Sequence, residues 1–187
     1  IQQLSNNRFD FGVGISPWEE DFAVCGVPWE KRGKRFDEQI DIVRGLESGE
    51  FFGYDGEIHQ MPANKMCPVP TRPTEILIGG HAEPALKRAA RVGDGWMCAG
   101  ADMEQLGAYI RRINELREEY GTADKPFRVF TTGQNAFTKE GIEELEGIGV
   151  TDVIIAFRNV YEMEPDHSLE QKIQMMNWYA GEFVNAA

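Results

Sequence analysis

Apolar and polar positions along the chain change period several times, and each change marks an element. Arg8-Phe9-Asp10-Phe11-Gly12-Val13-Gly14 alternates apolar and polar residues and then breaks into glycine, the pattern of a strand running into a loop. Residues 15–30 hold Pro17, Trp18, Pro28 and Trp29 and predict a long connection. From Lys31 to Leu46 the period becomes helical, with Phe36, Ile40, Val43 and Leu46 on one face and Ser48-Gly49 ending the segment. Phe51 to Met61 is a short aromatic stretch with Asp55-Gly56 at its middle, which predicts a hairpin turn. Pro62, Pro68, Pro70 and Pro73 then favour an extended connection, so residues 50–73 are expected to form an insertion between regular elements.

From Thr74 the pattern is regular. Short apolar runs at 75–80, 95–100, 127–132 and 151–157 alternate with helical stretches at about 84–92, 103–120, 139–148 and 169–184. The runs lack strict alternation, as expected of strands covered on both faces. Repeated β-α units imply parallel pairing with right-handed crossovers. An open doubly wound sheet and an arc of a (β/α)₈ barrel both satisfy this order.

A length of 187 residues suffices for one domain with its own core. No apolar run approaches the roughly 18 residues of a membrane span, and no signal peptide is visible. The first residue is Ile1, so the chain is expected to begin inside a longer gene product. The net charge of −12 disfavours nucleic acid as a partner, and there is no basic stripe. Cys25, Cys67 and Cys98 form no C-x-x-C pair, and His59, His81 and His167 are scattered. Neither a metal site nor a disulfide framework is indicated, and reduced thiols in a cytoplasm are the expectation.

Four segments, taken in order, carry a resemblance. They are Asn7–Gly14 followed by Trp18-Glu19-Glu20-Asp21-Phe22 and Gly26; Arg32-Gly33-Lys34-Arg35-Phe36-Asp37-Glu38; Phe52-Gly53-Tyr54 with Pro70 and Pro73; and Ile76-Leu77-Ile78-Gly79-Gly80-His81-Ala82-Glu83-Pro84-Ala85-Leu86, then Arg88–Arg91 and Gly93-Asp94-Gly95-Trp96. In this order and spacing the chain resembles the bacterial-luciferase-like monooxygenase family over about residues 5–100. The resemblance implies a TIM barrel and a cofactor that is reduced FMN or the deazaflavin coenzyme F420. It makes 8–14 strand four and the later runs strands five to eight, so that the chain is a partial barrel. A whole barrel of this kind needs about 250 residues.

The candidate site follows from both readings. Gly79 and Gly80 permit close approach of the backbone to a ligand, and Pro84 suits the first turn of a helix whose free N–H groups favour phosphate. By the resemblance, Gly79, Gly80, His81 and Ala82 hold the cofactor phosphate; an ordinary tight βα turn is the plainer reading. Glu83 argues against phosphate, because its own carboxylate could occupy the helix end. Gly12 and Gly14 would leave room for a flat ring at the barrel mouth, or mark a bulge. Arg158, with Asn159 after the last strand and Thr132-Gly133-Gln134 after the one before, is a further mouth candidate. The family's luciferases carry a basic residue after strand four for the FMN phosphate. Here that place is taken by Ile15 or Ser16, which leans the cofactor toward F420. Asp94-Gly95-Trp96 reads as structural, and Arg32, Arg35 and Glu38 as a solvated or salt-bridged helix face.

The resulting expectation is an F420-dependent oxidoreductase passing hydride to or from a small organic substrate, with no nucleic-acid or membrane partner. The alternatives are an FMN-dependent monooxygenase and a non-catalytic half-barrel. In that last case a second copy or a separate N-terminal half would cover the open edges.

Overall fold

The computed structural model describes residues 1–133, 135–157 and 167–184. After an N-terminal coil comes β1 (Phe11–Val13), then a short helix α1 (Glu19–Val24) and the long α2 (Arg32–Glu47). An antiparallel hairpin of β2 (Phe52–Asp55) and β3 (Gln60–Asn64) follows. The chain then alternates: β4 (Ile76–Gly79), α3 (Glu83–Val92), β5 (Gly95–Cys98), α4 (Met103–Tyr120), β6 (Arg128–Thr132), α5 (Lys139–Gly147), β7 (Asp152–Ile154) and α6 (Leu169–Tyr179), which widens into a π turn at Ala180–Val184.

Strands β1, β4, β5, β6 and β7 form one parallel sheet in that order. The hairpin stands apart from it as a second, two-stranded sheet. The connection at 15–30 is less irregular than its prolines suggest, because Glu19, Glu20 and Asp21 favour the positive end of the short α1. The first strand is shorter than its alternating pattern, since ladder pairing with β4 begins only at Phe11.

Ile76 and Ile78 of β4, Trp96 and Cys98 of β5 and Val129 of β6 are buried in one cluster with Leu86, Ala89, Leu106, Ile110, Ile113 and Leu145 of the helices. Helices therefore cover this face of the strands. Side chains alternate along a strand, so Gly12, Leu77, Gly79, Gly95, Met97, Arg128, Phe130 and Thr132 belong to the opposite face. Two close approaches agree: a Cβ built on Gly12 would stand 3.4 Å from Met97 Cε, and one on Gly95 would stand 2.7 Å from Leu77 Cδ2. A helix-covered outer face and a strand-lined inner face make an arc of a barrel, not a doubly wound sheet with helices on both sides.

The inner face is closed at the N-terminal ends of the strands by charge. Arg128 binds Asp10 at 2.7 Å, Glu75 at 3.1 Å and Asp152 at 2.5 Å. The hairpin is held by Glu38, which is fully buried. Its carboxylate accepts the N–H groups of Glu57, Ile58 and His59 at 2.8, 3.1 and 2.8 Å. The solvated reading of Glu38 is therefore corrected, while the salt-bridged one holds in part, since the Lys34 ammonium lies 3.7 Å from the carboxylate one helical turn away. The side chain reaches inward because the 56–59 turn presents a row of N–H donors to its oxygens.

Candidate functional site at the barrel mouth

The C-terminal ends of β1 and β4 meet at the rim. A Cβ on Gly14 would lie 3.8 Å from the Gly79 carbonyl oxygen, and one on Gly79 would lie 3.6 Å from that of Val13. Gly12, Gly14 and Gly79 thus form a patch of bare backbone, with Met97 beside it. A planar ring could lie against such a surface without meeting side-chain branches. Sequence reasoning placed the three glycines correctly on neighbouring strands. It missed Met97 and Phe130, whose inward direction follows only once the outward burial of Trp96 and Val129 is known.

Gly80 turns the chain with φ +122, a left-handed value that glycine takes without strain. Ala82 is the extended residue before α3 and no side chain caps the helix there. The N–H groups of Ala85 and Leu86 donate back to the Ala82 carbonyl at 2.7 and 3.1 Å. Pro84 has no N–H, and the Glu83 N–H has no acceptor among the described residues. The Glu83 carboxylate does not compete for the helix end. It accepts from Arg112 at 2.8 Å and pairs with Lys87 at 3.6 Å. The hydrogen bond from Arg112 comes first among the causes that hold its pKa below the usual glutamate range. The objection that Glu83 might fill the helix end is thereby answered.

His81 lies behind this loop. Its ring stacks on Tyr109, with centroids 5.3 Å apart and planes 9° from parallel, and meets the edge of Trp96 at 6.1 Å. Nε2 is 3.4 Å from Cys98 Sγ. Trp96 and Cys98 point into the helix-side core, so the imidazole sits with them, away from the inner face that holds Gly12 and Gly79. Burial pushes the Cys98 thiol up, against weaker hydrogen bonds from Gly100 and Thr131. Fully buried Trp96 donates its indole N–H to the Gly80 carbonyl at 2.8 Å.

The Asp94 carboxylate accepts the Ile76 N–H at 2.8 Å and pairs with Arg44, which agrees with the structural reading of that motif. Ile15 and Ser16 follow β1 as the sequence implied, and the Ser16 hydroxyl is spent on Asp21. Thr132 and Gly133 end β6 at the mouth, Thr132 exposed. Arg158, Asn159 and Gln134 lie outside the described residues. Among the described residues no group of three or more His, Cys, Asp or Glu is placed to hold a metal ion. No helix among them is long and apolar enough to cross a membrane.

The family model for luciferase-like monooxygenases matches residues 1–181. The chain belongs to this family. An uncharacterized protein of Mycobacterium tuberculosis is 49% identical over 181 residues, which is 96% of this chain and 62% of that protein. An F420-dependent glucose-6-phosphate dehydrogenase of Amycolatopsis mediterranei is 30% identical over 54% of this chain and 32% of its own length. An FMNH2-dependent dimethylsulfone monooxygenase of Pseudomonas fluorescens is 28% identical over 83% and 42%. Among solved structures, the monooxygenase RslO1 of Streptomyces bottropensis superposes with a TM-score of 0.78 at 16% identity, over 99% of this chain and 70% of that one. The chain thus spans about three-fifths of the length of its M. tuberculosis relative. As a luciferase-like sequence it has relatives that use F420 and relatives that use FMNH2.

Proposed function

We propose that this chain is the cofactor-cradling part of a luciferase-like oxidoreductase that uses coenzyme F420. When bound, the cofactor supplies or accepts the hydride, and the protein supplies orientation and exclusion of water. The observation that carries this reading is the juxtaposition of Gly12, Gly14 and Gly79 with the uncapped N-terminus of α3. Bare backbone would take the ring face. The Gly80–Glu83 turn would take the phosphate on N–H groups that no side chain among the described residues uses. Trp96 holds that turn from behind through the Gly80 carbonyl. The substrate is a small organic molecule entering over the same mouth.

F420 is preferred to FMN because the place after β1 holds Ile15 and Ser16, and the Ser16 hydroxyl is occupied by Asp21. An FMN-dependent monooxygenase is the second reading, favoured by the dimethylsulfone monooxygenase likeness, which extends over 83% of the chain. The test is a titration of the full-length protein with oxidised and reduced F420 and with FMN, followed by fluorescence. Tighter binding of F420 supports the first reading, and tighter binding of FMN transfers support to the second. If neither binds below about millimolar concentration, the oxidoreductase reading fails.

A further inference from the structure

Next to the glycine patch, a second cavity of about 280 Å³ opens between the 14–28 connection and the start of α2. Gly14 belongs to its wall, so the cavity adjoins the rim on which the proposed cofactor would lie. Ile15, Phe22, Val27 and Phe36 make much of the lining apolar. Its polar side chains include two arginines, Arg32 and Arg35, and one acid, Asp21.

Both arginines line one cavity in a chain of net charge −12. Among the described residues neither has a carboxylate within ion-pairing distance, a state they share with Arg8, Arg72, Arg111 and Arg117, none of which lines this cavity. Arg35 is fixed by two backbone carbonyls, those of Pro28 at 2.8 Å and Glu30 at 3.4 Å, which orient the guanidinium without neutralising it. The Arg32 guanidinium carbon lies over the Trp29 ring, 3.5 Å from its centroid. That contact holds the guanidinium in place, and its N–H groups have no hydrogen-bond acceptor among the described residues. The one acid, Asp21, is engaged by Ser16. Two positioned cations in a half-apolar cavity form a receptor for an anion with an organic body. Planar guanidinium groups favour bidentate carboxylate, phosphate or sulfonate oxygens.

Resting on the function proposed above, we infer that this cavity binds the anionic group of the substrate, and that the substrate class is a small organic acid or ester anion. Arg32 is the principal contact, Trp29 its platform and Arg35 the second cation. An anionic tail of the cofactor offers the same chemistry, so the experiment must separate the two sources.

Inorganic phosphate is titrated into full-length protein at constant ionic strength, with chloride as the blank, while tryptophan fluorescence is followed. An anion drawn to Arg32 alters the cation lying on Trp29, so a saturable signal is expected. Arg32→Gln should weaken phosphate binding at least tenfold, Arg32→Lys should restore part of it, and Arg111→Gln on the outer helix α4 should leave it unchanged. F420 and FMN affinities are measured on the same variants and should not move with Arg32. No saturable phosphate signal in the wild type overturns the inference, as does equal binding by wild type and Arg32→Gln. If Arg32→Gln instead weakens the cofactor tenfold, the cavity serves the cofactor tail and the substrate assignment is overturned. If phosphate binds through Arg32 while neither cofactor binds, the anion site stands and the oxidoreductase reading falls. If Arg32→Gln fails to fold by circular dichroism, Trp29→Phe decides. It keeps Arg32 and should abolish the fluorescence response while phosphate still binds by calorimetry.

Discussion

The indole N–H of Trp96 donates to the carbonyl of Gly80 across 2.8 Å, joining the fully buried helix-side core to the turn at the barrel mouth. Gly80 is the residue that bends the chain with φ +122, so its carbonyl direction sets where the following N–H groups point. Trp96→Phe keeps most of the packing and removes the donor. Gly80 is exposed, so water can serve its carbonyl once the donor is gone, and the cost is the net worth of one hydrogen bond, about 0.5–1.5 kcal/mol. The expected result is a loss in that range by urea denaturation and a weaker affinity for the cofactor. Unchanged cofactor affinity in a destabilised variant would separate Trp96 from the site.

Much of this architecture is legible without coordinates, and the reason is period. The runs Glu75–Gly80, Gly95–Gly100 and Phe127–Thr132 are too short and too apolar to be anything but buried parallel strands between helices. The glycines at 12, 14, 79 and 80 are visible as glycines, and strand order then brings three of them together. Direction is what the sequence withholds. His81 looks like a mouth residue by position, yet its ring turns outward because Tyr109 offers a stacking face and Cys98 a polar contact there. Glu38 reads as a helix-surface acid, yet a turn nineteen to twenty-one positions later needs its oxygens. Each depends on a partner far along the chain, which no local period encodes.

Arg128 stands at the other end of the barrel and answers to three acids, Asp10, Glu75 and Asp152. The hydrogen bonds to Asp152, with those to Asp10 and Glu75, raise its own pKa above the ordinary arginine value. Arg128→Met would leave three carboxylates facing one another on the inner face. The arginine side chain is about one-third exposed (34%), so the penalty is smaller than for a dry ion pair. A loss of about 1–3 kcal/mol is expected at pH 7, shrinking toward pH 4 as the acids protonate. A pH-independent loss would show that packing of the aliphatic stem, not charge, is what the variant removes.

Glu38 gives a prediction with a defined sign. Burial raises its pKa, but the N–H donors of His59, Ile58 and Glu57 and the Lys34 ammonium outweigh burial and leave it below the ordinary glutamate value. A carboxylate held low stabilises the fold above its unfolded pKa of about 4.3 and ceases to do so as pH falls through the folded value. Protection of the 57–59 amides, the observed exchange rate set against the intrinsic one, should therefore be high at pH 6 and fall below about pH 4. In Glu38→Gln the amide presents donors to donors, so the same amides should exchange fast at both pH values. Parallel pH profiles for the two proteins would remove Glu38 as the anchor of the hairpin.

The rim glycines and Gly95 separate a binding requirement from a folding one. At Gly14 a new Cβ meets nothing closer than 3.8 Å, an ordinary van der Waals distance, so the fold has room for it. At Gly95 the same atom would stand 2.6 Å from the Arg128 carbonyl oxygen, and backbone must move. Gly14→Val should then melt near the wild type. Its γ-methyls would stand on the face proposed to take the ring, weakening cofactor binding at least about tenfold, or 1.4 kcal/mol. Gly95→Ala should lose about 1–3 kcal/mol of stability through overpacking between β5 and β6. Paired thermal melts and F420 titrations decide it. If Gly14→Val binds cofactor as tightly as the wild type, the ring does not rest on this patch, and the fold's bare backbone there serves only the close approach of β1 to β4.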